Sequence, residues 1–109
     1  MILRKDKASL EHALGVIDEI KAAFAKMNAN DWHELMICRQ VETMALSSEI
    51  SIRCGLVREE SRNFHIRKEF PAKDNKNWLK WILADNVDGQ IVISTEDVPI
   101  EKYKHQPED

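Results

Sequence analysis

The 109-residue chain holds only three glycines and three prolines, and its glycines stand far apart at 15, 55 and 89. That spacing leaves no glycine-rich loop to cradle a nucleotide phosphate and no nucleophile elbow. No apolar run approaches the ~20 residues that a bilayer crossing needs, and no signal peptide is visible at the start. Direct membrane insertion is therefore not expected, and a soluble cytoplasmic protein is the default. There is no excess of positive charge either. The formal net charge of −3 favours neither nucleic acid nor an anionic membrane as a global partner.

Cysteine is scarce, with only Cys38 and Cys54. On one helix, sixteen residues would set them roughly 24 Å apart on nearly opposite faces, too far for a bridge within the chain. No C-x-x-C pair and no Cys/His cluster at zinc spacing occurs, so no metal site is expected and both cysteines read as small hydrophobes. What remains is 43% apolar and 32% charged, the balance of a globular chain sized for a single domain over residues 1–109.

Residues 1–7 are short and mixed. Ser9 reads as an N-cap with Glu11 in the first turn. Leu10, Ala13, Leu14, Ile17, Ile20, Phe24 and Met27 then recur at three- and four-residue steps, predicting an amphipathic helix over about 9–27. After Asn28-Ala29-Asn30, Asp31 with Glu34 makes a capping-box start for a second helix, running to about 61. Its apolar positions form two adjoining stripes, one through Ile37, Val41, Met44, Ala45, Ser48 and Ile52, the other through Leu35, Cys38, Leu46, Ile50, Cys54 and Val57. Gly55 is a plausible stop or kink. So short a connection makes the two helices antiparallel neighbours, and their combined apolar face is wider than one partner helix covers. A third layer is required from later in the chain, another copy or missing sequence.

A charged segment follows over 62–77, with Pro71 pushing Phe70 toward extended backbone. Residues 78–95 predict a β-hairpin turning at Asp88-Gly89, and 96–109 a polar tail ordered only by docking. The expected fold is mainly α: an antiparallel long-helix pair, an irregular charged segment, and a small C-terminal β-hairpin.

Arg53, Arg58, Arg62, Arg67 and Lys68 suggest a basic stripe, but Glu59, Glu60 and Glu69 interleave with them. Ion pairing within the fold or to a neighbouring domain is the expectation, and nucleic-acid binding is not. His65 lies between Phe64 and Ile66. A catalytic role would need an orienting carboxylate, for which Glu60 or Asp74 is available, and also a nucleophile. Ser61 lacks such a setting, so a structural, hydrogen-bonded histidine is expected. Trp32, Trp78 and Trp81 read as core or interface anchors rather than stacking platforms.

From Arg58 to Trp78 the run R-E-E-S-R-N-F-H-I-R-K-E-F-P-A-K-D-N-K-N-W resembles the C-terminal helical domain of succinate dehydrogenase/fumarate reductase flavoproteins. Those carry a pattern like R-x-E-S-R-G-x-H-x-R-x-D-x-P-x-x-D-x-x-W. Arg58, Glu60, Ser61, Arg62, His65, Arg67, Pro71, Asp74 and Trp78 stand at matching positions; Asn63 replaces the usual Gly and Glu69 the usual Asp. The lead-in L-R-K-D-K-A-S-L-E-H-A-L is similar too, and the hairpin and tail resemble relatives that include adenylylsulfate reductase.

The resemblance implies a parent enzyme that moves hydride between bound FAD and a dicarboxylate, with flavin-binding and capping domains earlier in its chain. None of their motifs is here. It also implies a three-helix, spectrin-repeat-like bundle of which one helix is missing, in keeping with the over-wide apolar face. The nine motif residues are then expected to make interdomain contacts, with no catalytic, cofactor or metal site in this chain. A free-standing helical module that forms homo-oligomers through its apolar face is the alternative.

Overall fold

The computed structural model describes residues 4–107. Residues 1–3, which include Leu3 of the lead-in, and the last two of the tail lie outside them. The elements run β1 (Arg4–Lys5), α1 (Lys7–Ala23), α2 (Trp32–Val57), β2 (Ile66–Arg67), α3 (Asn75–Trp78), β3 (Lys80–Val87) and β4 (Gln90–Asp97). The architecture is the expected long-helix pair, charged bend and antiparallel hairpin.

The first helix begins two residues earlier than its pattern suggests, and Ser9 is not its N-cap. Asp6 holds that position in extended backbone (φ −133°, ψ 164°), with Ser9 at the third helical residue of a capping box. The Ser9 N–H donates to Asp6 Oδ1 (2.8 Å), and the Asp6 N–H donates to Ser9 Oγ (3.1 Å). Asp6 is extended because the residues before it form a strand: Arg4 and Lys5 pair in parallel with Ile66 and Arg67. At its other end α1 stops at Ala23 and tightens into a 3₁₀ turn over Phe24–Lys26, where the Met27 N–H reaches the Phe24 carbonyl (3.1 Å).

Asp31 caps α2 as its spacing indicates, accepting from the Glu34 N–H (2.8 Å). The Glu34 carboxylate completes only a near-box, turning back to Asn30 instead of the Asp31 backbone. The helix ends at Val57, four residues short of expectation and two residues past Gly55. Gly55 is buried within α2. Arg58 is the extended C-cap, and the Arg67 side chain, not another turn, takes the carbonyls of Gly55 and Leu56.

The hairpin is shifted two residues from 78–95. Asp74 caps a single helical turn, accepting at Oδ1 from the Asn77 N–H (3.0 Å), so Trp78 is helical and β3 starts at Lys80. Asp88 (φ 52°) and Gly89 (φ 81°) make the two-residue turn, both left-handed as a type I′ hairpin requires. The half-buried Ile82, Ile91 and Ile93 share the hairpin face that lies over Leu46 and Ile50 of α2.

Little of this closes a core. Among the described residues only Leu10, Ile17 and Ala45 are buried apolar side chains. The radius of gyration, 17.5 Å, exceeds the roughly 13 Å of a compact chain this long. Met36, Met44 and Leu46 of α2 are more than half exposed, so the hairpin does not cover the wide apolar face.

Candidate docking site: the charged bend

The bend is built around one carboxylate. Glu60 is fully buried. Its Oε1 accepts from Arg58 Nη1 and from Arg62 Nε (2.8 Å), and its Oε2 from Arg62 Nη2 (3.1 Å) and the Asp74 N–H (2.8 Å). Burial by itself would push this carboxyl up. The donors from Arg62, the Asp74 backbone and Arg58 outweigh it and hold Glu60 below the usual glutamate value.

Both arginines carry the link outward. Arg58 donates to the Trp78 carbonyl (3.0 Å) and the Lys80 carbonyl (2.6 Å), and its guanidinium lies 5.5 Å from the centre of the Trp78 ring. Arg62 donates to Asn75 Oδ1 (2.8 Å). Glu60 thereby ties the end of α2 to α3 and to the start of the hairpin.

A second centre is Arg67, also buried. Its Nη1 donates to the carbonyls of Gly55 (2.7 Å) and Leu56 (3.2 Å), with Arg58 O at 3.4 Å. A guanidinium thus occupies the carbonyl end of α2, where both orphan acceptors and the helix dipole favour a cation. The Phe70 ring lies 5.4 Å away, and Glu69 pairs with Arg67 Nε (3.3 Å). Ser61 Oγ accepts from the Arg67 N–H (2.9 Å) and donates to the Phe70 carbonyl (2.7 Å).

His65 seats the turn. Arg62 and His65 exchange both backbone hydrogen bonds (2.8 and 2.9 Å) across Asn63 and Phe64. Asn63 takes φ +52°, so the turn that glycine would favour forms here with asparagine, one of the few other residues that tolerates it. His65 Nε2 donates to the Arg58 carbonyl (3.3 Å). Burial lowers its basicity, the hydrogen bond to Arg58 O opposes that, and nearby Lys5, Arg58 and Arg67 lower it further.

Of the nine sequence-marked residues, Arg58, Glu60, Ser61, Arg62, His65, Arg67, Asp74 and Trp78 therefore join one network, while Pro71 is exposed beside it. The sequence reading missed β1, whose Lys5 carbonyl accepts from the Lys68 N–H (2.8 Å). Beside β1, Asp6 Oδ2 accepts from Lys68 Nζ (2.6 Å), and this pair with the Ser9 bonds holds the Asp6 carboxyl down to about 2. Also missed was Glu49, buried between the helices and bonded to Lys21 Nζ (2.8 Å) and to Arg53 Nε and Nη2 (2.9 and 2.7 Å). Its signal was present: a lone carboxylate inside the apolar stripe from Ala45 to Ile52, with Arg53 four residues on.

The model of the fumarate reductase flavoprotein C-terminal family matches residues 1–109, the whole chain. The chain belongs to that family. Among family relatives, the succinate dehydrogenase flavoprotein subunits of Rickettsia conorii and Rickettsia felis are 24% and 26% identical over 98 residues. Those alignments cover 84% of this chain and 16% of each relative, so the chain spans about one-sixth of their length. A mutant of E. coli quinol fumarate reductase FrdA superposes with a TM-score of 0.87 at 20% identity, over 98% of this chain and 19% of that one. That likeness establishes the shared fold.

A flavin dinucleotide, the cofactor that a flavoprotein family implies, does not fit the residues present. Gly15 and Gly55 lie inside helices and Gly89 in the hairpin turn, so none opens a phosphate loop before a helix start. The bend's Arg58, Arg62 and Arg67 are committed to Glu60 and to backbone carbonyls.

Proposed function

We propose that this chain serves as the C-terminal structural and docking domain of an FAD-dependent oxidoreductase of the fumarate reductase/succinate dehydrogenase type and does not catalyse alone. Its partners are the flavin-binding and capping domains of the parent protein. Arg58, Glu60, Ser61, Arg62, His65, Arg67, Pro71, Asp74 and Trp78 form the bend that faces them. FAD belongs to those other domains. In this reading the chain is cytoplasmic and enters no membrane itself.

One observation carries the reading: the bend's polar groups satisfy one another and the neighbouring backbone, and even Arg67 and Glu69, which border an open concavity of about 340 Å³, are already paired there. Among the described residues no buried side-chain nitrogen or oxygen lacks a partner. Ser61 gives its hydroxyl proton to the Phe70 carbonyl rather than facing His65, so a serine–histidine hydrolase has no support. Such a cluster is a rigid platform, suited to presenting a fixed surface. Flavin titration and fumarate-reduction assays on the purified chain test this. The expected result is neither binding nor turnover; tight flavin binding or turnover overturns it.

The uncovered apolar face of α2, with Met44 68% and Met36 53% exposed, favours a second reading, a helical module that self-associates there. A flavin-binding region in the same reading frame upstream of Met1 would exclude its being free-standing. Sedimentation of the chain alone is expected to show a dimer or larger species. A monomer throughout the micromolar range would remove the self-association reading.

A further inference from the structure

The bend contains one group able to change charge near neutral pH, half-buried among Lys5, Arg58 and Arg67. We propose that His65 makes the bend a proton-sensitive joint: protonation drives its ring from the seat beside α2 and loosens the 62–65 turn from the helix end. The inference concerns the bend itself and stands whatever the bend docks against.

On its apolar side the half-buried ring faces α2 and α1: a methyl built on Gly55 would stand in ordinary contact with His65 Cε1 (3.7 Å) and Leu10 (3.9 Å). On the polar side, the Arg58 carbonyl that accepts from His65 Nε2 is shared with Arg67 Nη1. Cations approach from three elements: Lys5 of β1, Arg58 at the end of α2 and Arg67 of β2, while α1 presents Leu10. The bend's carboxylates offer no relief, because Glu60 is held by Arg58 and Arg62, and Glu69 by Arg67 and the Lys7 N–H. A charged imidazole would therefore be a fourth cation beside Lys5, Arg58 and Arg67, with neither Glu60 nor Glu69 free to pair with it.

The sign follows from the lowered basicity of the folded-state ring. His65 stabilises the fold fully above about pH 6.5, its unfolded value. That contribution is lost as pH falls from there through the lower folded value, by up to about tenfold in the folding equilibrium per pH unit.

Nuclear magnetic resonance titration of the wild-type chain reads this directly, with exposed His12, His33 and His105 as reference signals. The His65 ring should titrate below 6.5, and the protection factors of the Arg62 and His65 amides should fall in step. In parallel, urea unfolding between pH 7.5 and 5 should show a loss that His65→Gln, which keeps a donor but cannot charge, does not share. A His65 titration at or above 6.5 overturns the proposal. So does unchanged protection of the Arg62 and His65 amides through the titration. Should the glutamine variant not fold, the wild-type titration and protection factors decide alone.

Discussion

Between Arg58 and Trp78 the interior is ionic: Glu60 and Arg67 are buried, Glu60 with its donors inside that stretch and Arg67 with acceptors at the end of α2. Along α2 the opposite holds. Apolar side chains as large as Met36, Met44 and Leu46 stand more than half in solvent, and the buried contact with α1 includes a single ionic cluster at Glu49. The bend's polar groups find their partners within the bend, the end of α2, β1 and the start of β3, whereas the helix pair leaves one apolar face uncovered. A segment that must order in any context carries its own partners, and a surface that another element covers does not.

The widest separation between the two regions is expected on removing their central carboxylates. Glu60→Ala leaves Arg58 and Arg62 (side chains 15% and 25% exposed) facing each other without their counter-charge. Breaking a buried pair this way costs about 3–5 kcal/mol, enough to threaten folding of a marginal domain. Urea denaturation followed by circular dichroism measures it. A loss below about 1 kcal/mol would mean that the two guanidiniums escape to water and that the bend is not held by Glu60.

Glu49→Ala should cost less, about 1–2 kcal/mol in the same assay, because Lys21 and Arg53 are 45% and 41% exposed and can rehydrate. Lys21 first, then Arg53, holds the Glu49 carboxyl below its usual value against burial. Its contribution is therefore present above the ordinary glutamate range and lost as pH falls through the lower folded value. Equal losses at Glu49 and Glu60 would erase the distinction between a sealed cluster and a half-open one.

Much of this was legible from composition and spacing. The two helices, the Asp31 cap and the Asp88-Gly89 turn all follow from local chemistry, whereas the nine marked positions came from the family resemblance; eight of them join one hydrogen-bonded network and Pro71 stands beside it. What escaped was non-local. Arg4 and Lys5 form a strand only because Ile66 and Arg67 come to lie beside them, a pairing that no local pattern announces. The end of α2 was misplaced for the same reason: apolar periodicity continues through Val57, but Arg67, ten residues further on, caps the helix from outside. Trp78 reads as the first residue of a strand until Asp74 is seen to cap a turn around it.

A smaller effect of opposite sign is expected inside α1. Gly15 lies mid-helix with no heavy atom within 4 Å of where a methyl would stand. Gly15→Ala should therefore stabilise the chain by about 0.5–1 kcal/mol, visible as a higher urea midpoint. A destabilised variant would show that something presses on this face of α1 in solution.

The smallest stability effect belongs to the bare face, and there the informative reading is association. An open concavity of about 540 Å³ runs along α2 past Met36, Gln40, Thr43, Met44 and Ser47. The Thr43, Ser47 and Ser51 hydroxyls each donate to the carbonyl four residues back (2.9 Å), so the neighbouring row is short and its donors are already used. Met44→Glu removes apolar area that nothing in this chain covers, so the unfolding free energy should move by no more than about 0.5 kcal/mol. If the face is where copies of the chain meet, the same change should shift sedimentation toward monomer, since each new contact would bury a carboxylate without a partner. A variant that unfolds more easily by 2 kcal/mol or more would instead place Met44 in the chain's own core, and the contrast with the bend would fail there.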